Sequence, residues 1–338
     1  MRTPYALLLS LLLLLGLPSG TAHGADNGSW SVYPVASEVA ARPYFTLTAE
    51  PGQTLTDRVA VQNKTGRPLT FRLYAADAYN TTRDGGFAVR TLREHMRGVG
   101  AWARPAKTRV TVPAHRTVTV PFTLRVPDDA VPGDHPGAVV ALDERIAPGS
   151  GKLALGVQRA VGARVYLRVG GPTLPALSVE HVRVSHHQPL VPGLGDSTAT
   201  ISYTLRNTGN VTLAPRVELT ARGLFGRTLL DRDLARVPAE LLPGQRVRLT
   251  ETWRGAPQFD RGDVTLTASA PGTRQSAGAG FLALPWLMVA LVLAAGALTG
   301  ALLVRARRAR ARRCAPARPS PPERTTPSRP RSSPSARP

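Results

Sequence analysis

The chain has 338 residues and a formal net charge of +21, with 42% hydrophobic residues, 31 Gly, 31 Pro and one Cys. At about 100–200 residues per domain this length allows roughly two domains. Arg305–Pro338 holds eleven arginines against Glu323 and so carries +10 of the charge, which excludes reading the excess as a basic nucleic-acid-binding domain. Only Lys64, Lys107 and Lys152 are lysines; the richness in Arg, Ala, Gly and Pro fits a GC-rich genome, as in actinobacteria.

Met1–Ala25 begins with one early charge, Arg2, continues with an apolar run from Ala6 to Leu17, and ends in Pro18 and small residues through Ala25. That order predicts a secretory signal peptide over 1–25, cleaved near Gly24 or Ala25. The lone cysteine, Cys314, lies near the opposite end. The exported part therefore has no disulfide to draw on, and its folds must be held by apolar cores.

From residue 26 onward apolar and polar residues alternate in short runs separated by turn signals, the pattern of half-buried strands. In Thr117–Pro127, Val118, Val120, Phe122, Leu124 and Val126 fall on one face, while Pro121, lacking a donor, predicts an edge or a bulge. Similar runs are Tyr44–Ala49, Leu55–Gln62, Leu69–Ala76, Thr108–Val112, Ala138–Asp143 and Val157–Val169, then Ala176–Val184, Ala199–Arg206, Arg216–Arg222, Thr228–Leu234, Arg246–Trp253 and Asp263–Ala270. The one amphipathic helical pattern among them is Thr91–Trp102.

A faint repeat divides the chain at Gly170-Gly171-Pro172. Asn63-Lys64-Thr65-Gly66 and Asn207-Thr208-Gly209-Asn210 each follow a strand, where Asn and Gly accept the positive φ of a hairpin turn. Pro113-Ala114-His115 and Pro243-Gly244-Gln245 each lead into a strong strand. The predicted fold is all-β, with two immunoglobulin-like β-sandwich domains at 26–172 and 173–278, the first carrying an insertion at Tyr79–Arg104.

Trp30-Ser31-Val32-Tyr33-Pro34, Tyr44-Phe45-Thr46-Leu47, Pro51-Gly52-Gln53, Val59–Asn63, Ala78-Tyr79-Asn80 with Asp84-Gly85-Gly86, Trp102, and Val126–Ala130 leading to Pro132-Gly133-Asp134-His135 resemble the N-terminal domain of the WxL-interacting surface proteins of Gram-positive bacteria. The resemblance covers about residues 29–145. It implies an immunoglobulin-like domain associated with peptidoglycan, a second sandwich that in some members meets WxL-type exported proteins or host matrix, a membrane helix and a basic tail.

The residues offer little for catalysis. No His pair has helical metal-binding spacing, and no phosphate loop or nucleophile elbow occurs, so neither an enzyme nor a cofactor is expected. Asp128 and Asp129 are expected to shape a turn, and the adjacent His186 and His187 to be a solvated pair. Arg261-Gly262-Asp263 is read as a strand opening rather than an adhesion tripeptide. Binding is placed on the insertion, because long loops on a rigid scaffold are where recognition commonly resides. Tyr79, Asn80, Asp84, Arg90, Arg93 and Trp102 are the candidate ligand-binding residues. Aromatic faces stack on sugar rings, and Asn, Asp and Arg bond hydroxyl, N-acetyl and carboxylate groups; Trp102 is also suited to plugging the sandwich. The expected partner is peptidoglycan or an anionic wall polymer. The alternative is a module that pairs its sandwich edge strands with another exported protein.

Phe281–Val304 is 24 residues without a charge and runs directly into Arg305-Ala306-Arg307-Arg308. It predicts a transmembrane helix over 281–304, with membrane lipid as a partner. The arginines place the tail in the cytoplasm and residues 26–280 outside, a single-pass type I arrangement. Leu284-Pro285-Trp286-Leu287-Met288 lacks the Thr-Gly of a sortase signal, so the protein is expected to stay in the membrane. The Pro-, Ser- and Arg-rich tail 305–338 lacks the apolar content to fold and is expected to be disordered.

Overall fold

The computed structural model describes residues 25–36, 42–146, 156–189 and 195–313. The signal peptide up to residue 24, Cys314 and the tail beyond Arg313 lie outside the described residues. The rest is two immunoglobulin-like β-sandwiches followed by one long helix.

The first sandwich contains β1 (Ala25–Asp26), β2 (Trp30–Pro34), β3 (Phe45–Ala49), β4 (Thr54–Asn63), β5 (Leu69–Asn80), β6 (Phe87–Val89), β7 (Ala103–Pro105), β8 (Arg109–Val112), β9 (Thr117–Arg125), β10 (Gly133–Asp143) and β11 (Ala160–Val169). One sheet has the order β1-β2-β4-β9-β7; the other is β3-β11-β10-β5-β6, with β8 also on β5. The alternation of β9 is real: Val120, Phe122 and Leu124 are buried and Thr117, Thr119, Thr123 and Arg125 are exposed. Pro121 sits second from the edge, opposite Arg58 of β4. Its carbonyl accepts from Ala106 N at 2.8 Å, so its missing donor falls on the β7 side, just where that three-residue strand ends. Trp30 packs on Phe71 at 5.2 Å between ring centroids, and Phe45 meets Phe122 edge-on at 5.1 Å. Full burial of each such side chain contributes about 2–3 kcal/mol.

The second sandwich contains β12 (Leu177–His187), β13 (Thr198–Asn207), β14 (Arg216–Arg222), β15 (Thr228–Asp233), β16 (Arg246–Arg254), β17 (Asp260–Ala270) and β18 (Thr273–Ala283). Its sheets are β12-β13-β16 and β15-β14-β17-β18. β18 departs from the sequence expectation. The apolar run was predicted to be helical from residue 281, yet Phe281–Ala283 completes this strand; Phe281 is 6% exposed and meets Trp253 edge-on at 5.8 Å. The helix begins at Trp286 and continues to Arg313, so Arg305–Arg313, assigned to a disordered tail from sequence, is helical. Alternating Ala and Arg are good helix formers and extend the apolar segment.

The repeat survives with a different physical basis. Neither Asn63 nor Asn207 has positive φ. Both are buried, at 1% and 0% exposure, and work through their side chains. Asn63 Nδ2 donates to the carbonyls of Arg67, Val112 and Pro113 at 2.8–3.1 Å, while its Oδ1 accepts from Thr65 N at 2.9 Å. Asn207 Nδ2 donates to Val211 O and Leu241 O at 2.7 and 2.9 Å, and its Oδ1 accepts from Gly209 N at 3.0 Å. Each therefore ties the turn after its strand to the turn before a later strand. In those later turns the left-handed position is His115 (φ 54°) in one domain and Gly244 (φ 71°) in the other. His115→Gly is expected to stabilise the first sandwich by about 0.5 kcal/mol, the relief of a side chain at positive φ less the added entropy of glycine; urea denaturation of the two proteins measures it.

The insertion is not a free loop. β5 extends to Asn80 and β6 returns beside it. The pattern Thr91–Trp102 yields only one helical turn, α1 (Val99–Trp102), because Gly98 and Gly100 disfavour helix. Val89 and Met96 instead cover Tyr74, Ala76, Ala138 and Val140 on the outer face of the second sheet.

Candidate functional site: the groove between the sandwiches

The geometry that joins the two sandwiches begins with Asn80, at the end of β5. It is 4% exposed. Its Nδ2 donates to Gly85 O and to Glu240 O, both at 2.7 Å, and its Oδ1 accepts from Leu242 N at 2.9 Å. One carboxamide thus holds a turn of its own domain and two backbone groups of the other. Beside it, Tyr166 of β11 donates its hydroxyl to the Glu240 carboxylate at 2.9–3.0 Å. Arg164 donates to Tyr166 Oη at 3.1 Å and lies over the Phe87 ring at 4.3 Å. Burial pushes the Tyr166 phenol above its ordinary range, with Arg164 opposing the shift and Glu240 adding to it.

A second contact lies across from the first. Asp134 N donates to Asn210 O at 2.7 Å, Thr212 N donates to the Asp134 carboxylate at 2.8 Å, and Asn210 Nδ2 donates to Pro132 O and Pro172 O at 2.9 Å. Arg168 holds the same carboxylate with two bonds of 2.7 and 3.1 Å. Gly133, between Pro132 and Asp134, has φ 123°, and a Cβ there would strike the Asn210 backbone oxygen. Asn210, read from sequence as part of a hairpin turn, is a joint between domains.

A groove of about 660 Å³ runs between these contacts. The first domain lines it with Arg90, His95, Arg97 and His135, and the second with Pro243 and Gln245. Two of its acids are already engaged. The Asp77 carboxylate accepts from the backbone N–H groups of Arg97, Gly98 and Gly100 at 2.5–3.1 Å, which shapes the loop leading into α1. Glu94 accepts from Thr91 N at 2.6 Å and from Arg90 at 3.3 Å, and the Thr91 backbone bond holds its carboxyl below the usual range, followed by the Thr91 hydroxyl. The lining is therefore of mixed sign, with Arg90 and Arg97 against Asp77, Glu94 and Asp134 and the imidazoles of His95 and His135 among them.

The sequence candidates separate accordingly. Arg90 lines the groove, with its guanidinium 5.9 Å from the Tyr79 ring centroid. Asn80 is committed to the junction. Asp84 shapes the turn before β6, accepting from the Thr81 hydroxyl and from Gly86 N at 3.1 Å; the Thr81 bond, then that of Gly86, holds its carboxyl below the ordinary range. Arg93 is exposed outside the groove. Trp102 packs partly against the first core, with its ring 4.7 Å from that of His135, and also borders a second cleft with Asp128 and Asp129. Asp77, His135 and Glu240 were not singled out as site residues from the sequence; only the Pro132–His135 signature pointed near one of them. Among the described residues no group of three or more His, Cys, Asp or Glu is placed to hold a metal ion.

β16 leaves the groove directly. Gln245 lines the groove and the next residue, Arg246, opens this strand. β16 pairs with β13 without a register shift, and among the described residues no strand pairs with its other edge. Arg232 bonds Thr252 O at 3.1 Å near the far end, leaving Arg246–Thr250 as the open stretch. β12, the opposite edge of the same sheet, has its register broken between Glu180 and Arg183, with His181 at φ 55°; such a bulge blunts an edge against pairing.

No family model matches the chain, and no curated protein does. Solved structures similar to it include the class 5 fimbriae chaperone CfaA, with 11% identity over 75% of this chain and 98% of that chain at a TM-score of 0.34. The CsuC–CsuE chaperone–tip adhesion subunit pre-assembly complex of Acinetobacter baumannii matches with 11% identity over 74% and 98%, at 0.36. The Salmonella enterica SafA pilin–SafB chaperone complex matches with 8% identity over 76% and 97%, at 0.32. Likeness at this level carries nothing about the partners of this chain.

Proposed function

We propose that the protein is a membrane-tethered, non-catalytic module that holds an extended segment of another exported protein, seated in the groove between the sandwiches and continuing as an added strand along β16. The observation that carries this reading is the continuity of the groove with an unbulged open edge. Main-chain bonds to an edge supply affinity, and pockets beside it supply selectivity. The exposed Arg246 and Arg248 on β16 favour acidic side chains where the segment runs along that strand. In this reading the helix Trp286–Arg310, apolar and long enough to cross a bilayer, spans the cell membrane once and holds both sandwiches on the outer side.

A second reading, binding of peptidoglycan or an anionic wall polymer, belongs with the WxL-interacting likeness. It is favoured by the part-exposed Trp102 face beside His135, which can stack on a sugar ring. A photo-crosslinker at Arg248 in the full chain, in its native envelope, separates the two. A crosslinked polypeptide retained after enzymatic digestion of the wall, whose synthetic segment then protects the amides of Arg246–Thr250 from hydrogen exchange, is the expected result. Co-sedimentation with purified sacculi, with no polypeptide trapped, overturns strand capture in favour of the wall polymer.

A further inference from the structure

The end of the second sandwich opposite the first domain collects exposed apolar side chains. The turn between β14 and β15 presents Leu224, 48% exposed, and Phe225, fully exposed at φ 60°. The turn between β16 and β17 presents Phe259 at 72%; Leu282 and Trp286 follow at 58% and 73%. An aromatic ring held in the left-handed region and wholly in water is costly twice over, in backbone strain and in apolar exposure. Nothing in the second core requires it.

These residues belong to one surface. Asp260 pairs with Ala283, the last residue of β18. Its buried carboxylate accepts from Leu224 N at 3.0 Å and from Arg261 N at 2.8 Å, and meets Arg227 at 3.5 Å. The first turn is thereby fixed beside the strand end that feeds the helix. Only Leu284 and Pro285 separate that strand from the helix at Trp286, a linker whose reach is about 10 Å at the extended spacing. The apolar stretch from Trp286 to Val304 is about 28 Å long at helical rise, close to the thickness of the hydrocarbon core. With Trp286 at the interface, the end of the sandwich cannot stand clear of the headgroup layer.

We infer that this end of the second sandwich is an interfacial docking surface that inserts Phe225, Phe259 and their apolar neighbours into the adjoining leaflet, with anionic headgroups met by Arg222, Arg254 and Arg261. Those arginines are exposed around the same turns. Aromatic rings favour the headgroup boundary, and each nearby Arg is attracted to an anionic surface. The sandwich is then held upright by two attachments, the helix and the tip, which presents the groove at the far end away from the lipid. The inference rests on the reading that the helix spans the bilayer.

The test uses the full chain carrying Cys314→Ser, reconstituted in vesicles of phosphatidylcholine and phosphatidylglycerol. Single cysteines bearing an environment-sensitive fluorophore replace Phe225, Phe259, Leu293 in the helix, or Thr117 in the first domain. Spin-labelled lipid with the label near the headgroup is expected to quench the probes at 225 and 259 about twofold or more, as for interfacial side chains, and to leave 117 unquenched. Reducing phosphatidylglycerol should weaken that quenching. Probes at 225 and 259 that behave like 117, while a deep-labelled lipid quenches 293, overturn the docking surface and keep the span. A probe at 293 that remains aqueous overturns both.

Discussion

Alanine in place of Asn63 or Asn207 is expected to lower the stability of its own sandwich by about 3 kcal/mol, because each side chain is buried and several backbone groups lose a hydrogen bond to it, Val112 O, Val211 O and Leu241 O in buried surroundings. Asn207→Ala removes the amide donor from Val211 O, while Gly209 N keeps only its backbone bond to Ala176 O and Leu241 O only its backbone bond from Leu213. Asn63→Ala removes donors from the carbonyls of Arg67, Val112 and Pro113. Asp should not rescue either site, since the carbonyls need N–H donors and a carboxylate has none to give. The domains report separately. Trp30 lies in the first core at 1% exposure and Trp253 in the second at 3%, so fluorescence of proteins retaining one or the other follows each unfolding. Loss confined to the mutated domain is the expected pattern; less than about 1 kcal/mol would mean that water or a backbone shift replaces the amide.

The second large effect is expected at the junction. Asn80→Ala leaves the Leu242 amide, in a residue 1% exposed, without its acceptor and removes a donor from Glu240 O. A cost of about 2 kcal/mol follows for the buried orphan, and it falls on the contact between sandwiches rather than on either core. Calorimetry should change from one cooperative transition to two, and proteolysis near Gly171-Pro172 should quicken. The milder Glu240→Gln keeps the backbone bond to Asn80 and weakens only the pairing with Tyr166 and Arg164, so it should shift the transition without splitting it. Two transitions in both variants would mean that the carboxylate cluster, rather than Asn80, couples the domains. Because the groove has one wall from each sandwich, Asn80→Ala should also weaken capture of a segment even though Asn80 does not line it.

Local patterning carried the strands. β9 and β16 read correctly because each has one buried face, and a period of two is imposed residue by residue. β18 escaped because Ser276-Ala277-Gly278-Ala279-Gly280 has low strand propensity. It forms because β17 pairs with it along its whole length and because small residues fit the approach of Val264 O to Gly278. Thr91–Trp102 failed in the opposite sense. Leu92, Met96 and Val99 have helical spacing, yet Asp77, some twenty residues earlier in sequence, gathers the amides of Arg97, Gly98 and Gly100 into a loop.

The sequence by itself determined the alternating strands, the places of the Asn and Pro turns and the apolar helix, since each has a local pattern, although the bonds of Asn63 and Asn207 reach turns tens of residues away. It also singled out the insertion Tyr79–Arg104 as a segment set apart from the sandwich strands. Only the tertiary structure decided where that segment lies, against the second sandwich. Asn80 and Leu242 are 162 positions apart, and Arg90 faces Gln245 across a groove that neither half contains. The junction consumes some polar groups and leaves others exposed, and that division exists only once the second sandwich has docked against the first.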